Sequence, residues 1–192
     1  MIRKFVIGLV AAATAAAAVV VPSTSAGASR PTIAGIVSQS GGEGQFDRNP
    51  FDYDILLNAV IAAGLVDALN GSTQLTVFAP DDAAFMRTAR DLGFNGRTEK
   101  QAFDFLAGAL GTNLSTVLLY HVAPGRLGPL EVVFSGHIDT LAEQSFGVRG
   151  LRLIDKGAGP DPFLNLFALD IKASNGVIHG ITRVLVPALP AA

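Results

Sequence analysis

The stretch Thr76–Phe85, TVFAPDDAAF, constrains the fold of this chain more than any other. Leu75, Thr76, Val77 and Phe78 predict a buried strand. Pro80 then stops it, because proline has no backbone N–H and a preset φ. Asp81 restarts the chain as a helix, since its carboxylate can accept from the open N–H groups of the first turn and its charge suits a helix N-terminus. A second stretch, Asn175–Pro187 (NGVIHGITRVLVP), predicts a partner strand far along the chain. Its apolar residues fall on both faces, Val177, Ile181 and Leu185 against Ile178, Val184 and Val186, so it is expected to be covered on both sides. Asn175-Gly176 reads as a turn pair.

Helical spacing appears elsewhere in the first half of the chain. Thr32–Ser38 places Ile33, Ile36 and Val37 on one face. A longer helix starts at Asp52, with Ile55, Leu56, Ala59, Val60 and Ala63 on one stripe, Gly64 as an interruption and Asn70-Gly71 as its end. Thr98–Leu110 follows, then Asn113–Val122, with Asn113 in the N-cap position. The character changes after Pro124-Gly125. Leu130–Phe134, Ile138–Leu141, Phe146–Val148 and Leu151–Ile154 are short β-type runs split by glycines, which predict hairpins. Helices early and strands late predict an α+β domain.

The 192 residues suffice for one domain. Arg3 and Lys4 precede an apolar run, Phe5–Val21, and Ala26-Gly27-Ala28 fits a cleavage site, so residues 1–28 read as a secretory signal peptide. The expected division is then a lead-in at 29–50 with a short helix, a main domain at 51–188 and a short tail at 189–192. Beyond the leader the 16 acidic residues outnumber the basic ones, and no basic run occurs. That balance excludes a nucleic-acid partner of the usual kind, which needs clustered Lys and Arg. Without cysteine there are no disulfides, thiolate metal sites or lipidated cysteine. No membrane anchor is expected, and the protein reads as secreted.

TVFAPDDAAF, LLYHVAPG (Leu118–Gly125) and NGVIHGITRVLVP, in that order and at domain-sized spacing, resemble the three signature segments of a fasciclin domain from about residue 32 to 188. The resemblance implies a β-wedge of about seven strands flanked by several helices. It also implies a non-catalytic extracellular adhesion or interaction module, contacting a cell surface, a matrix polymer or a protein partner. An alternative is a secreted carrier of an apolar small molecule such as a pigment or lipid. The matching structural positions are Thr76, Phe78, Pro80, Asp81, Phe85, Asn175, Gly176 and His179. Tyr120 and His121 match a pair proposed as an adhesion determinant in animal relatives, and Asp170 and Ile171 match a second.

The residues themselves also allow a plainer role. His121 shares a helix face with Leu114, Val117 and Leu118, which predicts a buried ring with a backbone partner, tying a helix end to the sheet with Tyr120. Ile171 is expected in the core with Asp170 facing solvent. Thr182 stands where relatives have aspartate, which would leave Arg183 solvated. No catalytic, cofactor or metal-binding residues are assigned. Ser135 and His137 lack a nucleophile elbow, and His121, His137 and His179 lie in separate elements. Asp155, Asp161 and Asp170 lack the spacing of a calcium loop. Asp81-Asp82 reads as a capped helix start whose adjacent side chains diverge.

Overall fold

The computed structural model describes residues 30–189. The expected leader and residues 190–192 of the tail lie outside them. In chain order come α1 (Ile33–Ser40), α2 (Asp54–Ala62), α3 (Val66–Asn70), β1 (Leu75–Pro80), α4 (Asp82–Asp91), α5 (Glu99–Leu110) and α6 (Leu114–Tyr120). These are followed by β2 (Val122–Pro124), α7 (Pro129–Phe134), β3 (His137–Asp139), β4 (Ser145–Arg149), β5 (Arg152–Ile154), β6 (Ile171–Ala173) and β7 (Gly176–Ile181).

The seven strands form two sheets, ordered β2-β1-β7-β6 and β3-β4-β5. β1 and β7, the two stretches that dominate the sequence, pair in parallel from Leu75↔Gly176 to Pro80↔Ile181 at the centre of the larger sheet. All other strand pairs are antiparallel. Each face of β1 meets a different core. Leu75, Val77 and Ala79 pack with Ile55, Leu56, Val60 and Leu106 of the helices. Phe78 on the other face joins Tyr120, Phe146, Leu153, Ile181 and Leu185 between the two sheets. Phe146 meets Phe78 edge-on at 5.2 Å between centroids, which locks the sheets through one aromatic contact. This is the α+β architecture expected, with both faces of the central strands covered.

At the junction, Asp81 caps α4 by accepting from Ala84 N–H at 2.8 Å. Thr32 caps α1, whose Ile33, Ala34 and Val37 lie in the larger core, so the lead-in helix is an integral part of the fold. Gly64, at φ +67°, separates α2 from α3.

Three expectations need correction. Leu130–Phe134 is the helix α7 and not a strand: Pro129 occupies its first position, and Glu131 reaches back to the Gly128 N–H. The helix expected from Asn113 to Val122 is shorter. Asn113 belongs to a preceding 3₁₀ turn and makes no cap, and Val122 is already in β2, paired with Val77. The last strand stops at Ile181 because the following backbone donors find side chains in place of a strand. Val184 N–H donates to Thr88 Oγ1, Leu185 N–H to His121 Nε2 and Val186 N–H to Asp155 Oδ2.

Candidate functional site

Tyr120 and His121 end α6 and turn inward. Tyr120 is fully buried and donates its hydroxyl to Ser145 O at 3.1 Å, joining α6 to β4. His121 accepts from Leu185 N–H through Nε2 at 2.8 Å, and its Nδ1 lies 2.7 Å from Val117 O. The first contact requires a lone pair on Nε2, so Nδ1 carries the hydrogen. Burial, only partly offset by the Val117 carbonyl, lowers its pKa to about 4, so the ring is neutral. The pair ties a helix end to the sheets, as its helix-face position predicts. As partner-contact residues the two are corrected: neither side chain reaches the surface.

The other candidate pair lies at an edge. Asp170 and Ile171 are both half-buried, with Ile171 against the larger core and Asp170 3.5 Å from Lys172. Asp170 takes a left-handed φ of +56°, which aspartate tolerates better than most residues. Its N–H donates to His179 Nδ1, while His179 Nε2–H donates to Leu127 O at 2.9 Å, giving the opposite tautomer to His121. His179 is thus a buried strut between β7, the 127 loop and the segment preceding β6. Burial lowers its pKa as well.

That segment carries three exposed apolar side chains. Phe163 is 46% exposed, Leu166 62% and Phe167 fully so, while Leu164 between them is buried and bridges to Ile181. The segment is held rigidly although its side chains point outward. Asn165 N–H donates to Gly180 O, Asn165 Oδ1 accepts from Phe167 N–H, and Phe163 and Thr182 exchange two hydrogen bonds. Nothing in the composition of LNLFALD distinguishes an exposed Phe167 from a buried one, so sequence reading missed this surface.

The remaining motif residues are structural. Thr76 Oγ1 donates to Gly125 O and accepts from Leu127 N–H. Phe78, Pro80 and Phe85 are buried. Asn175 does more than turn the chain: it accepts from Ile33 N–H and donates to Leu69 O and Gly71 O, each at 2.8 Å. A Cβ on Gly176 would lie 2.0 Å from Leu75 O, so only glycine admits the β1–β7 pairing there. Arg183 is not merely solvated, since its Nε contacts Asp91 Oδ2 at 2.8 Å.

A second group of residues escaped the sequence reading. The N-termini of α2, α4 and α5 converge, and the first residue of each is acidic: Asp54, Asp82 and Glu99. Asp82 Oδ1 accepts from Ile55 N–H, and Asp54 accepts from Gly42 and Asp47 N–H. Burial and the neighbouring Asp52 push Asp82 up to about 8, against the Ile55 hydrogen bond, and burial beside Asp47, Asp52 and Asp54 pushes Glu99 up to about 7. Asp81 and Asp82 do diverge, but Asp82 meets Asp52 from another loop. Helix starts with acidic first residues were the available signal. Their convergence is a tertiary fact.

Of the would-be catalytic groups, His137 is exposed on β3 and the others are engaged within the fold. Ser135 gives its hydroxyl hydrogen to Val132 O, and both nitrogens of His121 and of His179 are bonded. Asp155 accepts from Gly157 and Val186, and Asp161 pairs with Arg152.

A central sheet covered on both faces, a buried Tyr-His tie and an exposed apolar rim describe a domain that presents a surface. The family model for the fasciclin domain matches residues 51–187, and the chain belongs to that family. It is 32% identical over 135 residues to Protein sll1483 of Synechocystis sp., covering 70% of this chain and 67% of that protein. It is 30% identical over 138 residues to transforming growth factor-beta-induced protein ig-h3 of Sus scrofa, covering 70% of this chain but only 18% of ig-h3. Among solved structures, a FAS1 domain pair from the insect cell adhesion molecule fasciclin I matches with a TM-score of 0.58 and 18% identity, over 83% of this chain and 52% of that one. At that identity the match shows the fold alone.

Proposed function

We propose that the protein is a secreted, non-catalytic interaction module that contacts a cell-surface or matrix component through the segment Phe163–Ile171. The observation that carries this reading is the exposure of Phe163, Leu166 and Phe167 on a backbone fixed at both ends. Exposed large apolar side chains grouped on one short segment are the kind of surface that marks a contact site. Its rigidity lowers the ordering cost of binding. Half-buried Asp170 and Ile171, the positions matching an adhesion determinant of relatives, adjoin it. The adhesion role named for fasciclin I and the leader-like residues 1–28 support the same reading. The engagement of Ser135, His121 and His179 supports the absence of catalysis.

Burying Leu166 and Phe167 is worth about 2 kcal/mol each. The double variant Leu166→Ser, Phe167→Ser is therefore expected to bind cells of the producing organism about 1,000-fold more weakly, with its melting temperature unchanged to within about 2 °C. Equal binding by variant and wild type contradicts the assignment.

Among the described residues, an apolar-walled cleft offers the carrier reading a place in the fold. A surface cleft of ≈ 280 Å³ runs between α4, α5 and the 155–160 loop, walled by Leu92, Leu106, Leu110, Val184, Val186 and Leu189. The two voids described inside the larger core hold only ≈ 30 Å³ each, about one water's share of liquid volume. Native mass spectrometry of the secreted protein decides between the readings. A stoichiometric adduct of a few hundred daltons supports the carrier, and a bare polypeptide leaves the contact module.

A further inference from the structure

The acidic group between α2, α4 and α5 has an unresolved balance. Asp52 Oδ1, Asp82 Oδ2 and Glu99 Oε2 are buried and accept no hydrogen bond, although Asp82 is fully buried and Asp52 and Glu99 are only 5% and 7% exposed. No Lys, Arg or His among the described residues forms an ion pair with Asp47, Asp52, Asp54, Asp82 or Glu99. Helix N-termini favour negative charge at these positions, and Ile55, Gly42 and Asp47 N–H groups occupy some carboxylate lone pairs. None of these donors reaches the three orphaned oxygens. A proton shared between Asp52 and Asp82 would satisfy one pair and leave Glu99 as it is.

The geometry points to a divalent cation. One carboxylate oxygen from each of Asp52, Asp54 and Asp82 lies within 4.8 Å of the others, and so does one from each of Asp47, Asp54 and Glu99. In oxygen-ligated calcium sites the ligands stand 2.3–2.6 Å from the ion, so opposite ligands are separated by about 4.6–5.2 Å. We propose that this group is a calcium-type cation site centred on Asp54, with Asp52 and Asp82 on its inner side and Asp47 and Glu99 on its outer side. The donors are all oxygen, which selects a hard cation over zinc or copper. Several carboxylates around a soft, irregular shell suit calcium better than the strict octahedron of magnesium. Entry is available from outside, because Asp47 and Glu99 also line an open cleft of ≈ 680 Å³ beside Phe46 and Thr98. Such a site would clamp three helix starts together, which is a stabilising role separate from the contact surface.

The test is calcium titration of the purified protein, followed by isothermal calorimetry and by thermal unfolding in CaCl₂ against EDTA. Extracellular calcium modules bind at about 0.1–1 mM. At about 10 mM calcium the melting temperature is then expected to rise by about 3–10 °C, with magnesium at least about tenfold weaker. Asp82→Asn keeps the acceptor for Ile55 N–H, and Glu99→Gln keeps the helix start; both are expected to lose the calcium shift, while Asp67→Asn on the exposed face of α3 keeps it. Absence of heat and of a calcium shift in the wild-type protein overturns the proposal without recourse to any variant. A shift that survives in both Asp82→Asn and Glu99→Gln overturns the location, and equal potency of magnesium overturns the calcium assignment.

Discussion

His121 shows how one side chain can serve two elements at once. Its ring joins the last turn of α6 to the chain beyond β7, and it can do so only while neutral. NMR titration is expected to show the Nδ1–H tautomer persisting from neutral pH down to about 4, the value to which burial lowers the ring from 6.5. In the unfolded chain the ring protonates near 6.5, so between 6.5 and about 4 the unfolded state binds more protons. The stability associated with the neutral ring, on the order of 3 kcal/mol, is therefore full above pH 6.5 and lost as pH falls towards 4. A ring that titrates near 6.5 in the folded protein would contradict this. The position of His121 on an apolar helix face was legible from its spacing to Leu114, Val117 and Leu118. Its partner Leu185 was not, since nothing local marks a backbone donor 64 residues away.

At the scale of elements, legibility followed how local the deciding interaction is. The β1–α4 junction could be read because Pro80 and Asp81 act within a few residues. α1 and α5 could be read from the local spacing of their apolar residues, whereas their caps, Thr32 and Thr98, are findings of the structure. α7 was misread because Leu130–Phe134 is too short for its apolar pattern to separate helix from strand. Pro129 and Glu131 were the better signals. The length of β7 was overestimated because the acceptors that divert residues 184–186 come from Thr88, His121 and Asp155, in three different parts of the chain. Asn175 gives this scale its prediction. Its side chain joins the turn before β7 to the start of α1 and the end of α3 by three hydrogen bonds. Asn175→Ala is expected to cost about 3 kcal/mol in urea unfolding, since it leaves buried backbone groups unpaired. A loss under about 1 kcal/mol would show that water replaces these bonds.

For the whole molecule, the two sequence stretches far apart in the chain meet as parallel neighbours and place the flanking segments. β7 fixes the segment 163–168 through Gly180 and Ile181, and His179 fixes Asp170, so the central sheet positions the exposed rim. The family and the central strand pair were legible in three short motifs. Neither the rim nor the acidic group was, because each depends on which side chains tertiary packing leaves outside or brings together. The rim and the acidic group are also separable in function: calcium should change stability, whereas substitutions at Leu166 and Phe167 should change contact alone.

The most direct test of the contact surface is site-specific photocrosslinking on intact cells of the producing organism. A benzophenone side chain is placed at position 167, and at position 51 as a control, since Phe51 is also exposed. A discrete crosslinked product is expected from position 167 and none from position 51. Equal products from the two positions, or none from position 167 while the protein still binds the cells, would contradict this expectation.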